Sequence, residues 1–180
     1  MSNKLRLNPI AACLRASAAV FASGALLAPI VATSNPSGPQ VVGGQASVST
    51  PAAGATVIDQ QSNAAIINWQ SFSIGASEYV VFNQPSASAA VLNRVIGNLP
   101  SEILGNLTAN GQVFLINAQG VMFGAGSRVD VGALVTSTRD IQNEDFLAGR
   151  YVFAGDSQAG ITNEGDIRSA DGGYVVLVAD

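Results

Sequence analysis

NGQVFLINAQGVMFGAGSRVDVGALVTST, residues 110–138, sets short apolar runs between Asn, Gln and Gly turns and leaves no run long enough for a helix. The runs at 113–116, 121–123, 129–131 and 134–135 are mainly β-branched and apolar, which suits a pleated strand. Asn110-Gly111, Gln119-Gly120 and Gly124-Ala125-Gly126 separate them with residues that tolerate positive φ. Strands this short are not stable alone, so the pattern predicts a coil whose successive turns stack on one another. In RVDV, residues 128–131, valine alternates with charge, which points Val129 and Val131 inward and leaves Arg128 and Asp130 in water. VFLI at 113–116 and YVVLV at 174–178 are apolar on both faces. Such strands need cover outside the coil as well as within it, so an extra hairpin or small sheet is expected against them.

Similar runs recur on either side, at 65–68, 79–82, 90–92, 151–153, Ile161 and Ile167, each bounded by Gly, Asn, Pro or Ser. LTANGQVFLI (107–116) and IRSADGGYVVLV (167–178) resemble each other apart from one inserted residue, which is internal similarity on the scale of a solenoid repeat. At roughly 20 to 25 residues per coil there is room for about six coils. Residues 33–55 are rich in Ser, Pro, Gly and Ala around Val41-Val42, and are expected to lead into a first strand that caps the open end. The chain stops within a strand-rich block that carries no polar capping repeat, so an exposed edge is expected there, with the chain either a fragment or followed by more coils. Trp69 and Phe72, three apart, fall on opposite faces of a strand unless a bulge intervenes, which would place one in the core and the other beneath the cap. Asn is frequent at strand ends, where it tolerates left-handed turns and bonds backbone groups.

These blocks together resemble the N-terminal secretion domain, or haemagglutination activity domain, of filamentous haemagglutinin-type exoproteins, the exported partner in bacterial two-partner secretion. That family carries Asn-Pro-Asn-Gly-Ile in the turn after a strand like VFLI, and residues 117–121 here read NAQGV. The turn residues Asn117 and Gly120 are retained. The likeness continues through IINWQSFSIG (66–75), VVFNQPSASAAVLNRV (80–95), SEILGNL (101–107), NEDFLAG (143–149) and DGGYVVLV (171–178), covering about residues 41–180. A second family motif, Asn-Pro-Asn-Leu, is replaced by Asn83-Gln84-Pro85 ahead of 92–95, LNRV. The resemblance implies an all-β, right-handed parallel β-helix with an N-terminal cap and extra-helical β-strands. It also implies that Asn117, Gly120, Asn83 and Pro85 belong to what a cognate transporter reads. As a turn residue alone, Asn117 would be worth about 1 kcal/mol.

The first 32 residues read differently from the rest. Lys4, Arg6 and Arg15 precede an apolar run, 16–31, that is short for a membrane span and ends at the small residue Ala32. Residues 1–32 are therefore expected to be a signal peptide and 33–180 the secretion domain, the N-terminal part of a longer exported protein. Cys13 precedes the apolar run, whereas a lipid-attachment cysteine follows it, so lipidation is not expected. Cleavage after Ala32 removes Cys13 and three of the eight basic residues, leaving five against 12 acidic, a net charge of about −7. A lysine-free acidic chain lacks the clustered cations that nucleic acid and anionic lipid require. A cysteine-free chain forms no disulfide in an oxidising compartment and stays threadable.

Candidates for catalysis are few. The chain has no His, which removes Ser-His-Asp and Cys-His mechanisms and the commonest metal ligand. Arg139, Asp140, Glu144 and Asp145 are close in sequence, yet STRDIQNEDFLAG (137–149) reads as a solvated loop between coils. GAGSRVD (124–130) has the wrong spacing for a glycine-aspartate calcium repeat. No enzyme activity, cofactor or metal is expected.

Through the resemblance, the expected partner is an outer-membrane β-barrel transporter with soluble periplasmic modules, which directs the protein through the periplasm to the cell surface or medium. A host-surface or glycan-binding adhesive domain is the alternative, with the host cell surface as partner, and a polysaccharide-cleaving β-helix enzyme is the third reading. Exported protein should begin at Thr33, within a few residues. N-terminal sequencing of the periplasmic or secreted form checks this, and Met1 retained on that form would refute it.

Overall fold

The computed structural model describes residues 35–179, and in it the punctuated runs become the strands of a parallel β-helix. The expected signal peptide lies outside the described residues. Strands are numbered in chain order. One long sheet contains β1 (Gln40–Gly43), β4 (Ala64–Trp69), β6 (Ala90–Val95), β9 (Gln112–Ile116), β12 (Ala133–Ser137) and β17 (Val175–Val178), side by side in that order. A second contains β2 (Ala46–Ser49), β3 (Ala55–Gln60), β5 (Tyr79–Asn83), β8 (Asn106–Ala109), β11 (Arg128–Val131) and β16 (Asp166–Ser169). A third, shorter sheet holds β7 (Ser101–Ile103), β10 (Val121–Phe123) and β15 (Ile161–Asn163). The chain passes from the second sheet to the first, then to the third, and returns one level higher.

Stacking is in strict register. Ala65, Val91, Val113, Leu134 and Val175 form one inward column of the first sheet. Val80, Leu107, Val129 and Ile167 form its counterpart in the second. The likeness between 107–116 and 167–178 is thus a likeness between levels of the same columns. Val129 and Val131 are fully buried, whereas Arg128 and Asp130 are exposed, as the alternation in RVDV requires. Each six-stranded sheet has five parallel strands, because β1 lies antiparallel on β4 and β2 antiparallel on β3. Among the described residues the count of about six coils is corrected to five closed by a reversed cap, since the first apolar segment folds back instead of making a level of its own.

Corners show why glycine recurs. A Cβ on Gly111 would stand 2.7 Å from the Ala89 carbonyl oxygen, and one on Gly132 2.6 Å from that of Gly111. Both have ordinary φ, so close approach of successive levels, not left-handed backbone, demands glycine there. Gly120 and Gly126 do take positive φ, whereas among the described residues no other residue type does. Left-handed backbone is therefore not what the described asparagines supply; Asn83, Asn93, Asn110 and Asn117 act through side-chain hydrogen bonds.

The outer face of the first sheet is covered, as its two-sided apolar strands require. Ile66, Leu92, Phe114 and Val135 form an outward column. It is buried beneath a strap built from β13 (Asp140–Ile141), α1 (Asn143–Leu147) and β14 (Phe153–Ala154), β13 and β14 pairing antiparallel. Phe146 and Tyr151 rest on Phe114, with ring centroids 5.2 and 4.6 Å apart. The expectation of a plain solvated loop at 137–149 is corrected by this short strand and helix, since Ile141 and Phe146 have an apolar column to bury against. Trp69 and Phe72 are also corrected. Both face the interior, with rings edge to face at 5.4 Å, because β4 ends at Trp69 and the chain turns before Phe72. At the far end β17 is the edge strand, with Val175, Val176 and Leu177 about two-fifths exposed.

Val131→Asp should place an unpaired carboxylate in the column beside Leu107 and Val129 and cost about 4 kcal/mol. Thermal unfolding should fall by roughly 10 °C or more; near-normal melting would contradict the inward assignment.

Candidate functional site

Asn117 sits where β9 ends and the chain turns toward β10, and it is fully buried. Its Nδ2 donates to the Leu99 carbonyl and to Ser101 Oγ, each at 3.0 Å, while Oδ1 accepts from the Gln119 N–H at 2.9 Å. Its backbone N–H donates to the Ser137 carbonyl at 3.0 Å, and its carbonyl accepts from the Gly120 N–H at 3.0 Å. One residue thus ties the level below, its own turn and the level above. Gly120 completes the turn with φ +106, and an added Cβ would meet the Gly160 carbonyl oxygen at 3.1 Å. The value of a lone turn hydrogen bond is therefore too low for Asn117. Truncation strands the buried Ser101 hydroxyl, removes two further bonds at the part-buried Gln119 N–H and Leu99 carbonyl, and opens a cavity.

Asn83 and Pro85 lie at a different corner, between the second and first sheets, and both are exposed. Asn83 donates to Asp59 Oδ1 on the neighbouring level at 2.8 Å. The residue between them, Gln84, is the buried one. Its Nε2 donates to Gln60 Oε1 and the Ala89 carbonyl, each at 3.0 Å, and its Oε1 accepts from the Gly111 N–H at 3.0 Å. The Gln84 backbone exchanges two further bonds with the Asn110 amide, both 2.7 Å. Gln60, Gln84 and Asn110 make an amide ladder up the corner, and sequence reasoning missed its centre. The signal was present: each follows an apolar strand at the coil spacing, Gln60 to Gln84 being 24 residues and Gln84 to Asn110 26.

The four residues expected to be read by a transporter are thus divided between two corners, Asn117 and Gly120 in one, Asn83 and Pro85 in the other. Within the acidic cluster at 140–145, two carboxylates are paired. Asp140 pairs with Arg94 and Asp145 with Arg150, both at 2.7 Å. Among the described residues no group of three or more His, Cys, Asp or Glu is placed to hold a metal ion.

Gln84→Leu should leave the Gly111 N–H and Gln60 Oε1 buried without their partner, at a cost on the order of 3 kcal/mol. Asn83→Ala, at the exposed neighbour, should change stability by less than about 1 kcal/mol. Denaturant midpoints of the two variants check the contrast.

Comparison with known proteins agrees with this architecture. A heme/hemopexin-binding protein of Haemophilus influenzae (strain ATCC 51907 / DSM 11121 / KW20 / Rd) is 43% identical over 107 residues, 59% of this chain and 12% of that protein. A second heme/hemopexin-binding protein of Haemophilus influenzae is 38% identical over 123 residues, 67% of this chain and 13% of its own length. The chain therefore corresponds to a small part of these relatives. The crystal structure of the HMW1 secretion domain from Haemophilus influenzae superposes with a TM-score of 0.72 at 34% identity, over 79% of this chain and 39% of that one. Residues 32–180 match the family described as TPS secretion domain, and they contain all the described coils, the cap and the strap. The chain belongs to the TPS secretion domain family, the secretion-directing domains of two-partner secretion exoproteins.

Proposed function

We propose that residues 33–180 direct an exoprotein across the outer membrane through a cognate β-barrel transporter, and that the transporter reads the segment around Asn117 before that segment folds. The observation that carries this reading is the burial of Asn117 within a domain matched to the secretion family over residues 32–180. Once the coils are stacked, the Asn117 amide is enclosed and bonded on both its oxygen and its nitrogen. A partner can meet it only in an extended chain.

The route begins with cleavage of the signal peptide at 1–32 and passage into the periplasm. There, soluble modules of the transporter pair with an extended stretch of the chain through main-chain hydrogen bonds, a mode that suits an acidic, unfolded client while side-chain pockets supply specificity. Coils folding outside then disfavour return, and no nucleotide is needed. The haem and hemopexin binding named for the two relatives is not assigned to this domain. The match covers only 12% and 13% of those proteins.

The test separates recognition from folding. Secreted yield with the cognate transporter is measured for Asn117→Ala and for a core variant of matched denaturant midpoint, such as Val131→Ala. Asn117→Ala should lower secretion at least tenfold more than the matched variant, taking tenfold as about 1.4 kcal/mol of lost recognition. Equal losses would leave Asn117 a purely structural residue. Secretion of the unsubstituted chain without any transporter would defeat the export reading itself.

A further inference from the structure

We propose that the strap, residues 140–154, is a latch that closes only after four coils have stacked, and that Arg94 is its catch. The face that receives it, Ile66, Leu92, Phe114 and Val135, takes one residue from each of β4, β6, β9 and β12, so it does not exist until those strands are in register. All four strands precede the strap in the chain. The strap has little means of folding earlier: α1 is five residues long, its Gln142 N-cap makes no side-chain capping bond, and its buried side chain, Phe146, needs Phe114 to pack against. Closure is thus conditional on completed stacking.

The latch is also separable from what it covers. Ile141 and Phe146 belong to an apolar cluster on the outside of the first sheet, and the cluster that fills the interior of the coils includes no residue of the strap. Opening the strap uncovers the outer column without disturbing the inner one. Arg94, reaching out from β6, grips the strap at three points. Its Nε donates to Asp140 Oδ1 at 2.7 Å, Nη2 to the Ile141 carbonyl at 2.6 Å and Nη1 to Asn143 Oδ1 at 2.8 Å. The same guanidinium donates to Asn68 Oδ1 on β4 at 3.4 Å, which joins the catch to the first coil. Its use in transport, holding delivered coils against unwinding while later residues follow, rests on the export reading above; the latch itself does not.

Amide hydrogen exchange on the purified chain tests it, without a transporter, so failure here and failure of the export reading are told apart. In Arg94→Met the Phe146 and Ala148 amides should exchange about tenfold faster or more, as expected for loss of charge-assisted bonds, while amides of β6 and β9 keep their rates. Pulse-labelled refolding of the unsubstituted chain should protect β4, β6, β9 and β12 before residues 143–148. No acceleration in the strap, equal acceleration in strap and sheet, or strap protection arising together with or before the sheet would each overturn the proposal. Should Arg94→Met not fold, Asp140→Asn is measured in its place, and the refolding order is read without any substitution.

Discussion

Parallel backbone hydrogen bonding between strands one coil apart is the interaction on which the domain depends. Among the described residues no strand exceeds six residues, and none could persist without the level beneath it. Register then governs every other choice. A slip of one residue would carry Val129 and Val131 to the surface and Arg128 and Asp130 inside, at every level at once. Apolar columns, close-packed glycines and amide ladders are three answers to the same demand, that each level present to the next a surface it can repeat.

How much of this was legible in the sequence depends on how local the cause is. Alternation in RVDV is local and placed Val129 and Val131 correctly. VFLI announced a need for outer cover because both faces of a short strand are apolar, and the strap provides it. What covers the face was not legible, since Phe146 gains its partner Phe114 only through register between distant levels. Trp69 and Phe72 were misjudged because strand alternation was extended past the end of β4. Gln84 was overlooked for a similar reason: a glutamine beside a proline looks like ordinary turn chemistry until its neighbours one coil away, Gln60 and Asn110, are placed beside it.

Asn117 illustrates how one residue can belong to two states of a chain. In the folded domain it closes a corner and presents nothing to the outside. In an extended chain its amide, the following turn residues and the apolar run before it are all accessible together. On the export reading proposed above, the short amide flanked by apolar strand and glycine that makes the corner is also what a transporter meets in the unfolded chain.

The reversed cap has a further consequence, for assembly between molecules. A solenoid made only of parallel levels has two complementary ends, and its copies could join head to tail into an open fibre. Here the β1 and β2 edges run against the direction of every other strand in their sheets. A further parallel level therefore has no ladder of its own kind to continue at that end. The cap thus fixes which end begins the stack: levels are laid down away from it, in chain order, from β3 and β4 onward.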